Sequence, residues 1–197
     1  MTFELKRRAF LQLIMGTATT IGASAPFAGA LAAANDAATI GWPNDVPTWD
    51  PNQRFTPDAQ PIFKAVFDQP LDQDPHLKLI PHLIKAWTLA PDALSMAVEL
   101  RDDVTFHNGD KMTTEDFRYT FLERNKSGLK LDIANSMRKV DDIVIESPTK
   151  ATMKFSSPAP TMPQWLAFLG SYIVPKNYIE GKGLDNFLKS PIGTGPY

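Results

Sequence analysis

The segment from residue 98 to residue 122 constrains the fold more than any other part of this chain. Apolar side chains occupy alternate positions from residue 96 to residue 100, which predicts a half-buried strand, and residues 104–106 repeat the pattern. Asn108-Gly109 follows, and this pair readily takes the positive φ of a tight turn. The segment therefore predicts two extended pieces that end in a reversal of the chain.

A helix is predicted directly after that turn. Thr113 is a good N-cap, because its hydroxyl can accept the free backbone N–H of Asp116. Phe117 and Phe121 are four residues apart and share one face of the predicted helix. The whole segment predicts a docking edge and contains no group poised for catalysis.

Strands and helices alternate along the rest of the chain without a uniform repeat. This pattern predicts a mixed α/β class. The expected elements are a strand at 38–42, a loop at 43–51, a helix at 58–67, a turn at 71–75, a helical turn at 81–87, a hairpin at 143–155 and a short helix at 163–169, after which residues 173–175 lead to 176–179.

The first 34 residues have the pattern of an export signal. Arg7-Arg8 precedes a mildly apolar stretch at 13–31, which is similar to a twin-arginine signal, and small residues place the cleavage near Ala32 or Ala34. The general secretory route remains the alternative for export. Glycine, threonine and proline interrupt the stretch, and this disfavours a membrane-spanning or buried helix. We therefore expect a periplasmic protein.

Charge and cysteine content restrict the possible partners. The predicted signal contains three of the 20 basic and one of the 22 acidic side chains, so the remainder carries 17 and 21 and a net charge of about −4. No basic stripe is present for a phosphate backbone, so nucleic acid is not an expected partner. The chain has no cysteine, which excludes disulfides and thiolate metal sites.

The candidate catalytic and metal-binding groups have simpler explanations. His76, His82 and His107 lack the spacing of a metal pair on one face of a helix, and surface or capping roles are favoured. The glycine pair at 193–195 has no following Gly-Lys-Ser/Thr, so a structural turn is favoured over a phosphate cradle. Adjacent carboxylates on a strand point to opposite faces. We therefore predict no enzymatic activity, no metal site and no cofactor.

Three stretches carry a resemblance to a known family. Residues 100–117, with Thr114 where alanine is frequent, are similar to the signature of the family 5 extracellular solute-binding proteins. These are the dipeptide-, oligopeptide- and nickel-binding proteins of ABC importers. Residues 79–87 and 190–197 resemble two further landmarks of the same family, and all three occur in family order.

The resemblance implies a fold, a mechanism and a set of partners. Family 5 members have two hinged lobes of the class II type that close on a solute and deliver it to a membrane permease. Residues 35–197 correspond to the N-terminal part of the first lobe, so we expect a truncated form of the fold. The intact protein is expected to be a monomer. A peptide is the favoured solute, while a nickel complex, an opine or a sugar remains open.

The resemblance also implies where the solute lies. The first lobe contributes the loop and helix start after its first strand and the segment before the turn at 173–175. Arg54 is the most informative of these residues, because a guanidinium can form a forked pair with a ligand carboxylate, although an ordinary exposed arginine is equally possible. The ligand-binding residues implied in this way are Asn52, Gln53, Arg54, Phe55, Phe168, Ser171 and Tyr172.

Other functions remain as alternatives to the receptor. In the first alternative the short chain is a truncated, non-binding remnant. In the second it is an exported module that contacts another protein. An in-frame continuation of the coding sequence into a second lobe would favour the receptor.

Overall fold

The computed structural model describes residues 44–54 and 56–197. The predicted signal, the predicted strand at 38–42 and Phe55 lie outside the described residues. Within the described ranges, no helix combines the length and apolar character needed to cross a bilayer.

The described elements alternate between helices and strands. After a 3-10 turn at Pro57–Ala59, they are α1 (Gln60–Val66), β1 (Leu71–Gln73), β2 (Leu79–Pro81), β3 (Ile84–Leu89), β4 (Ser95–Leu100), α2 (Thr114–Arg118), α3 (Arg124–Lys126), α4 (Ile133–Met137), β5 (Val140–Ser147), β6 (Lys150–Phe155), α5 (Met162–Trp165), α6 (Lys176–Lys182) and α7 (Leu184–Lys189).

A four-stranded antiparallel sheet forms the centre of this part of the chain. Its strand order is β3-β4-β6-β5, and β1 and β2 form a separate two-stranded ladder. The predicted hairpin is confirmed, because β5 and β6 pair with each other in antiparallel fashion and Ile143 lies opposite Met153. Strand β4 pairs with both β3 and β6, so the predicted strand at 96–100 lies in the interior of the sheet.

The predicted helix cap after β4 is confirmed as a capping box between Thr113 and Asp116. The Thr113 hydroxyl accepts the backbone N–H of Glu115 at 3.3 Å, and the Asp116 carboxylate accepts the backbone N–H of Thr113 at 2.9 Å. This reciprocal arrangement satisfies donors that a helix start leaves open. The rings of Phe117 and Phe121 lie 4.9 Å apart and are fully buried, as the spacing predicted.

Among the described residues, two hydrophobic clusters hold the fold together. One lies between the sheet and α2 and includes Met96, Val98, Met153, Phe117 and Phe121. In the second, α1, α7 and the segment before α6 pack through aromatic rings, with the Phe67 ring 6.2 Å from Tyr172 and 6.1 Å from Phe187. The residues at the centre of this second cluster are Ala59, Phe63, Phe67, Tyr172, Val174, Ile179 and Phe187.

The expected helical turn at residues 81–87 is wrong. Pro81 ends β2, and Ile84–Leu89 is an outer strand of the sheet. The Ile84 N–H donates to the Pro70 carbonyl at 2.8 Å, so a neighbouring segment satisfies this backbone group. Pairing with β4 across the sheet decides the conformation here, because tertiary contacts override weak local propensity.

Two smaller expectations also need correction. Residues 71–73 form β1, and the predicted turn begins only at Asp74, whose carboxylate accepts the backbone N–H groups of His76 and Lys78. Residues 104–106 do not form a strand of the sheet and make one isolated bridge, between Thr105 and Lys111.

The landmark stretches at 98–122 and 190–197 meet in the folded chain. The backbone N–H of His107 donates to the Gly193 carbonyl at 3.0 Å, and its Nε2 lies 2.8 Å from the Gly195 carbonyl. The backbone N–H of Gly195 in turn donates to Val66 at the end of α1. The glycine pair is therefore a structural turn, as predicted.

The landmark at 79–87 reaches the same place through a carboxylate. Asp68 accepts the Thr194 hydroxyl at 2.9 Å, and its other oxygen lies 3.5 Å from Nε2 of His82. The three sequence landmarks are thus joined around the C-terminal end of α1.

Candidate functional site

The two predicted ligand-binding segments are far apart in sequence and adjacent in the structure. The side-chain amide of Asn52 donates to the carbonyls of Gly170 at 2.6 Å and Tyr172 at 3.0 Å. The loop after residue 50 is thereby held against the segment at 168–172. The fold therefore brings together, at this part of the surface, two segments that the sequence separates.

Asn52 also connects this surface to the helical run that starts with α2. Its side-chain oxygen accepts a hydrogen bond from Nη1 of Arg124, and its backbone carbonyl accepts the N–H of Ile133 at 3.3 Å. Asn52 itself is fully buried, and its own N–H donates to Asp50 at 3.1 Å. Asn52 thus joins three other segments, through its side chain and its backbone, by hydrogen bonds in a low-dielectric interior, where such bonds are strong.

A buried ion pair lies beneath the loop. Nη2 of Arg124 is 2.5 Å from Oδ2 of Asp50, and the two side chains are 1% and 3% exposed. Arg124 directly follows a π-helical turn at Tyr119–Glu123, a local distortion that is frequent at functional sites. Within the described residues, Nε of Arg124 is buried without a hydrogen-bond partner.

Tyr172 and Ser171 use their hydroxyls inside the protein. The Tyr172 hydroxyl donates to Oε1 of Gln60 at 2.8 Å, and burial raises the pKa of this tyrosine far above its ordinary value. The Ser171 hydroxyl donates to the Trp165 carbonyl at 2.5 Å. Both hydroxyls therefore fix the shape of the segment.

Burial corrects the expectation of direct solute contact for three of the predicted residues. Asn52, Ser171 and Tyr172 are at most 1% exposed, and their polar groups already have partners within the protein. They support the surface instead of facing a ligand. Asp50, Arg124 and Gln60 belong to the same support. The sequence did not identify them, because an isolated polar residue in a sequence carries no signal of burial.

The remaining predicted residues lie at the surface of the same region. Arg54 is exposed, Gln53 is half-buried, and Phe168 is 43% exposed with its ring edge-on to Trp165 at 5.3 Å. Phe55 lies outside the described residues. Gln53, Arg54 and Phe168 are thus the predicted side chains that the structure leaves accessible.

An open groove of about 460 Å³ lies beside the buried ion pair. Its walls come from the π-helical turn and from α6 and α7, and they include Tyr119, Glu123, Ile179 and Leu184. Burial raises the pKa of Tyr119. The groove is partly apolar, and Glu123, Ser127 and Glu180 add polar side chains to its lining, a combination that suits binding.

The described residues contain no group of three or more side chains suited to hold a metal ion. What the surface offers is a set of exposed polar and aromatic side chains on a rigid support. This arrangement can bind a small molecule by shape and by directed polar contacts.

The mixed α/β architecture is that of part of a lobe in the two-lobed periplasmic binding proteins. The family described as "Bacterial extracellular solute-binding proteins, family 5 Middle" matches residues 78–197. The chain belongs to family 5 of the bacterial extracellular solute-binding proteins.

Individual relatives agree with this assignment. The chain is 30% identical over 172 residues to the nickel-binding periplasmic protein of Escherichia coli K12, which covers 84% of this chain and 32% of the relative. Among solved structures, NikZ of Campylobacter jejuni, in complex with Ni(L-His), matches with a TM-score of 0.70 and 26% identity over 78% of this chain and 31% of that one. The binding protein AgaA of A. tumefaciens R10, in complex with agropinic acid, matches with a TM-score of 0.69 and 26% identity over 76% and 30%.

The chain spans about a third of the length of these relatives. The fold comparison therefore concerns one part of a lobe.

Proposed function

We propose that this chain forms the N-terminal part of the first lobe of the solute-binding component of an ABC importer. The intact protein captures a small solute between two lobes in the periplasm and delivers it to a permease in the inner membrane. It acts as a monomer, has no catalytic activity, and reaches the periplasm through the predicted twin-arginine signal with cleavage near Ala32 or Ala34.

The observation that supports this proposal is the hydrogen bonding of Asn52. Its bonds to Gly170 and Tyr172 hold the loop that carries Gln53 and Arg54 against the segment that carries Phe168 at this surface. The support beneath that surface is buried and, apart from Nε of Arg124, its polar groups have internal partners, so the backbone that carries the exposed side chains is preorganised. A binding lobe needs this combination, because ordering flexible side chains on binding lowers affinity.

A peptide is our first choice of solute. Arg54 is exposed and can form a forked, charge-assisted pair with a peptide carboxylate. Phe168 offers an aromatic face beside it for an apolar side chain.

A nickel chelate is the second candidate. The 30% identical relative is a nickel-binding protein, and the NikZ structure contains Ni(L-His). A metal complex with an amino acid also carries a carboxylate, so the same arginine can serve either solute.

Isothermal titration calorimetry tests the proposal. The full chain, and any longer form that the reading frame encodes, are titrated with a pool of di- and oligopeptides and separately with Ni(II) and L-histidine. Saturable binding of peptides by the longer form supports a peptide receptor, and saturable binding of the nickel complex alone supports the second candidate. Absence of binding by both forms contradicts both candidate solutes and favours a different solute, a non-binding remnant or a protein-interaction module.

A further inference from the structure

A second pocket lies between the end of α4 and the loop that leads into α5. It has a volume of about 250 Å³, and the cationic side chains at its wall are Arg138 and Lys139. One water occupies about 30 Å³ of liquid, so the pocket can hold a small anion together with some of its hydration. None of the residues used above for the solute-facing surface contributes a charge to it.

The pocket walls are held in place by internal contacts. Ala159 and Met162 form a buried floor, and the backbone N–H of Ala159 donates to the Ala93 carbonyl at 2.8 Å. Nζ of Lys139 donates to the Pro158 carbonyl at 2.5 Å, which fixes the ammonium group at the rim and leaves its other protons available. The ring of Trp165 closes one side. The pocket therefore exists before any ligand binds.

The charged side chains that line the pocket are all basic. It combines two cations with polar side chains that can donate hydrogen bonds, and it includes no carboxylate; the polar members are Asn135, Ser136 and Thr161. In the part of the chain that the structure describes, neither Arg138 nor Lys139 forms an ion pair. This is notable because the chain as a whole has a net charge of −2.

We infer that this pocket binds a small phosphate-type oxyanion. A guanidinium presents paired donors that match two oxygens of a phosphate, and an ammonium adds a point charge beside it. Two cations on one wall can bind separate oxygens of one phosphate group, whether that group is free phosphate or a phosphodiester. The anion comes either from free phosphate or from the phosphodiester headgroup of an anionic phospholipid.

The test is a nuclear magnetic resonance titration of the full chain with inorganic phosphate at constant ionic strength. Binding in the pocket predicts saturable shifts at residues 135–139 and 159–165. Arg138→Gln is expected to weaken the affinity by about tenfold or more, as for loss of a charged hydrogen bond. Lys189→Gln removes an exposed positive charge on α7 and should leave the affinity unchanged.

A second arm distinguishes the two sources of the anion. Cosedimentation is measured with phosphatidylglycerol vesicles and, as a control, with phosphatidylcholine vesicles. If the protein sediments with phosphatidylglycerol and Arg138→Gln abolishes this binding, the ligand is the lipid headgroup. Saturable phosphate shifts without such cosedimentation identify free phosphate as the ligand. The inference is overturned if neither ligand gives an Arg138-dependent signal. It is equally overturned if Arg138→Gln and Lys189→Gln weaken the signal to the same extent, since that result reflects general charge screening. Arg138 is exposed, so its substitution should preserve folding, and an unchanged unfolding midpoint checks this.

Discussion

The side-chain amide of Asn52 donates a hydrogen bond to the carbonyl of Tyr172, a residue 120 positions later in the sequence, at 3.0 Å. The same amide bonds to Gly170, and the side-chain oxygen accepts from Arg124. One buried side chain thus closes a long-range contact on which the candidate site depends.

Replacing Asn52 with leucine tests the importance of this contact. The substitution keeps a similar volume but leaves two carbonyls and a guanidinium without their buried partner. We expect a loss of about 3 kcal/mol in the free energy of unfolding. Urea denaturation measures it, with Gln53→Leu on the neighbouring half-buried residue as a control that should change stability by less than about 0.5 kcal/mol. Equal effects of the two substitutions would contradict a special role for Asn52.

The buried pair of Asp50 and Arg124 should behave as a unit. Removing one partner leaves an uncompensated buried charge, so Asp50→Asn and Arg124→Met are each expected to cost about 3–5 kcal/mol. The double variant should cost clearly less than the sum of the two, because no isolated charge remains. A double-mutant cycle measured by chemical denaturation provides the values, and additive costs would show that the pair is not coupled.

Alanine substitutions at Gly195, in the turn near the end of the chain, and at Gly181, in α6, are expected to have opposite effects on stability. A Cβ on Gly195 would lie 2.6 Å from the carbonyl carbon of Val66, so Gly195→Ala forces the backbone apart. Overpacking of this kind costs about 1–3 kcal/mol. Gly181 lies in α6 with open space around it, and Gly181→Ala should stabilise the chain by about 0.5–1 kcal/mol. Thermal unfolding of both variants gives the sign directly; destabilisation by both would mean that α6 does not tolerate a side chain at residue 181.

The carboxyl of Asp142 should titrate at unusually low pH. The Arg118 guanidinium hydrogen-bonds this carboxylate and lowers its pKa below the ordinary value. The stability from this pair is therefore present above about pH 4 and is lost as the pH falls through the lowered pKa. Carboxyl carbon resonances followed against pH should show the low pKa in the parent chain and its return toward the ordinary value in Arg118→Met. An unchanged pKa in the variant would assign the shift to another cause.

Asp116 should titrate in the opposite direction in the same spectra. Burial raises its pKa, even though it accepts hydrogen bonds from the backbone N–H groups of Thr113 and Lys176. The folded state therefore binds a proton on the Asp116 carboxyl more tightly than the unfolded state does. The stability that this proton provides decreases as the pH rises from about 4 through the raised pKa. A pKa below that of an exposed aspartate would show that the hydrogen bonds outweigh burial.

Arg54 is the predicted contact whose removal should affect binding without affecting folding. It is exposed, so Arg54→Gln should leave the unfolding midpoint unchanged. If the guanidinium holds a ligand carboxylate, the affinity measured by calorimetry on the longest form encoded should fall by about tenfold. Lys189→Gln is the control for loss of one positive charge, and an Arg54 variant with the affinity of that control would remove Arg54 from the site.

Local patterns identified several elements from the sequence correctly. The Thr113 cap, the shared face of Phe117 and Phe121 and the hairpin of β5 and β6 each depend on residues close together in the chain. Residues 81–87 were assigned wrongly for the complementary reason. Their backbone groups bond to β4 and to Pro70, and local propensity contains no information about such partners.

The sequence by itself determined the mixed α/β class, the family landmarks and the two segments in which the site was expected. Only the tertiary structure decided which of those side chains face outward. Asn52, Ser171 and Tyr172 are polar and looked like ligand contacts, yet the fold places them inside, where they bond to backbone carbonyls and to Gln60. The physical reason is that burial and hydrogen-bond partners arise when distant segments meet, so the same polar residue supports a surface or lines it according to contacts that its neighbours in sequence do not specify.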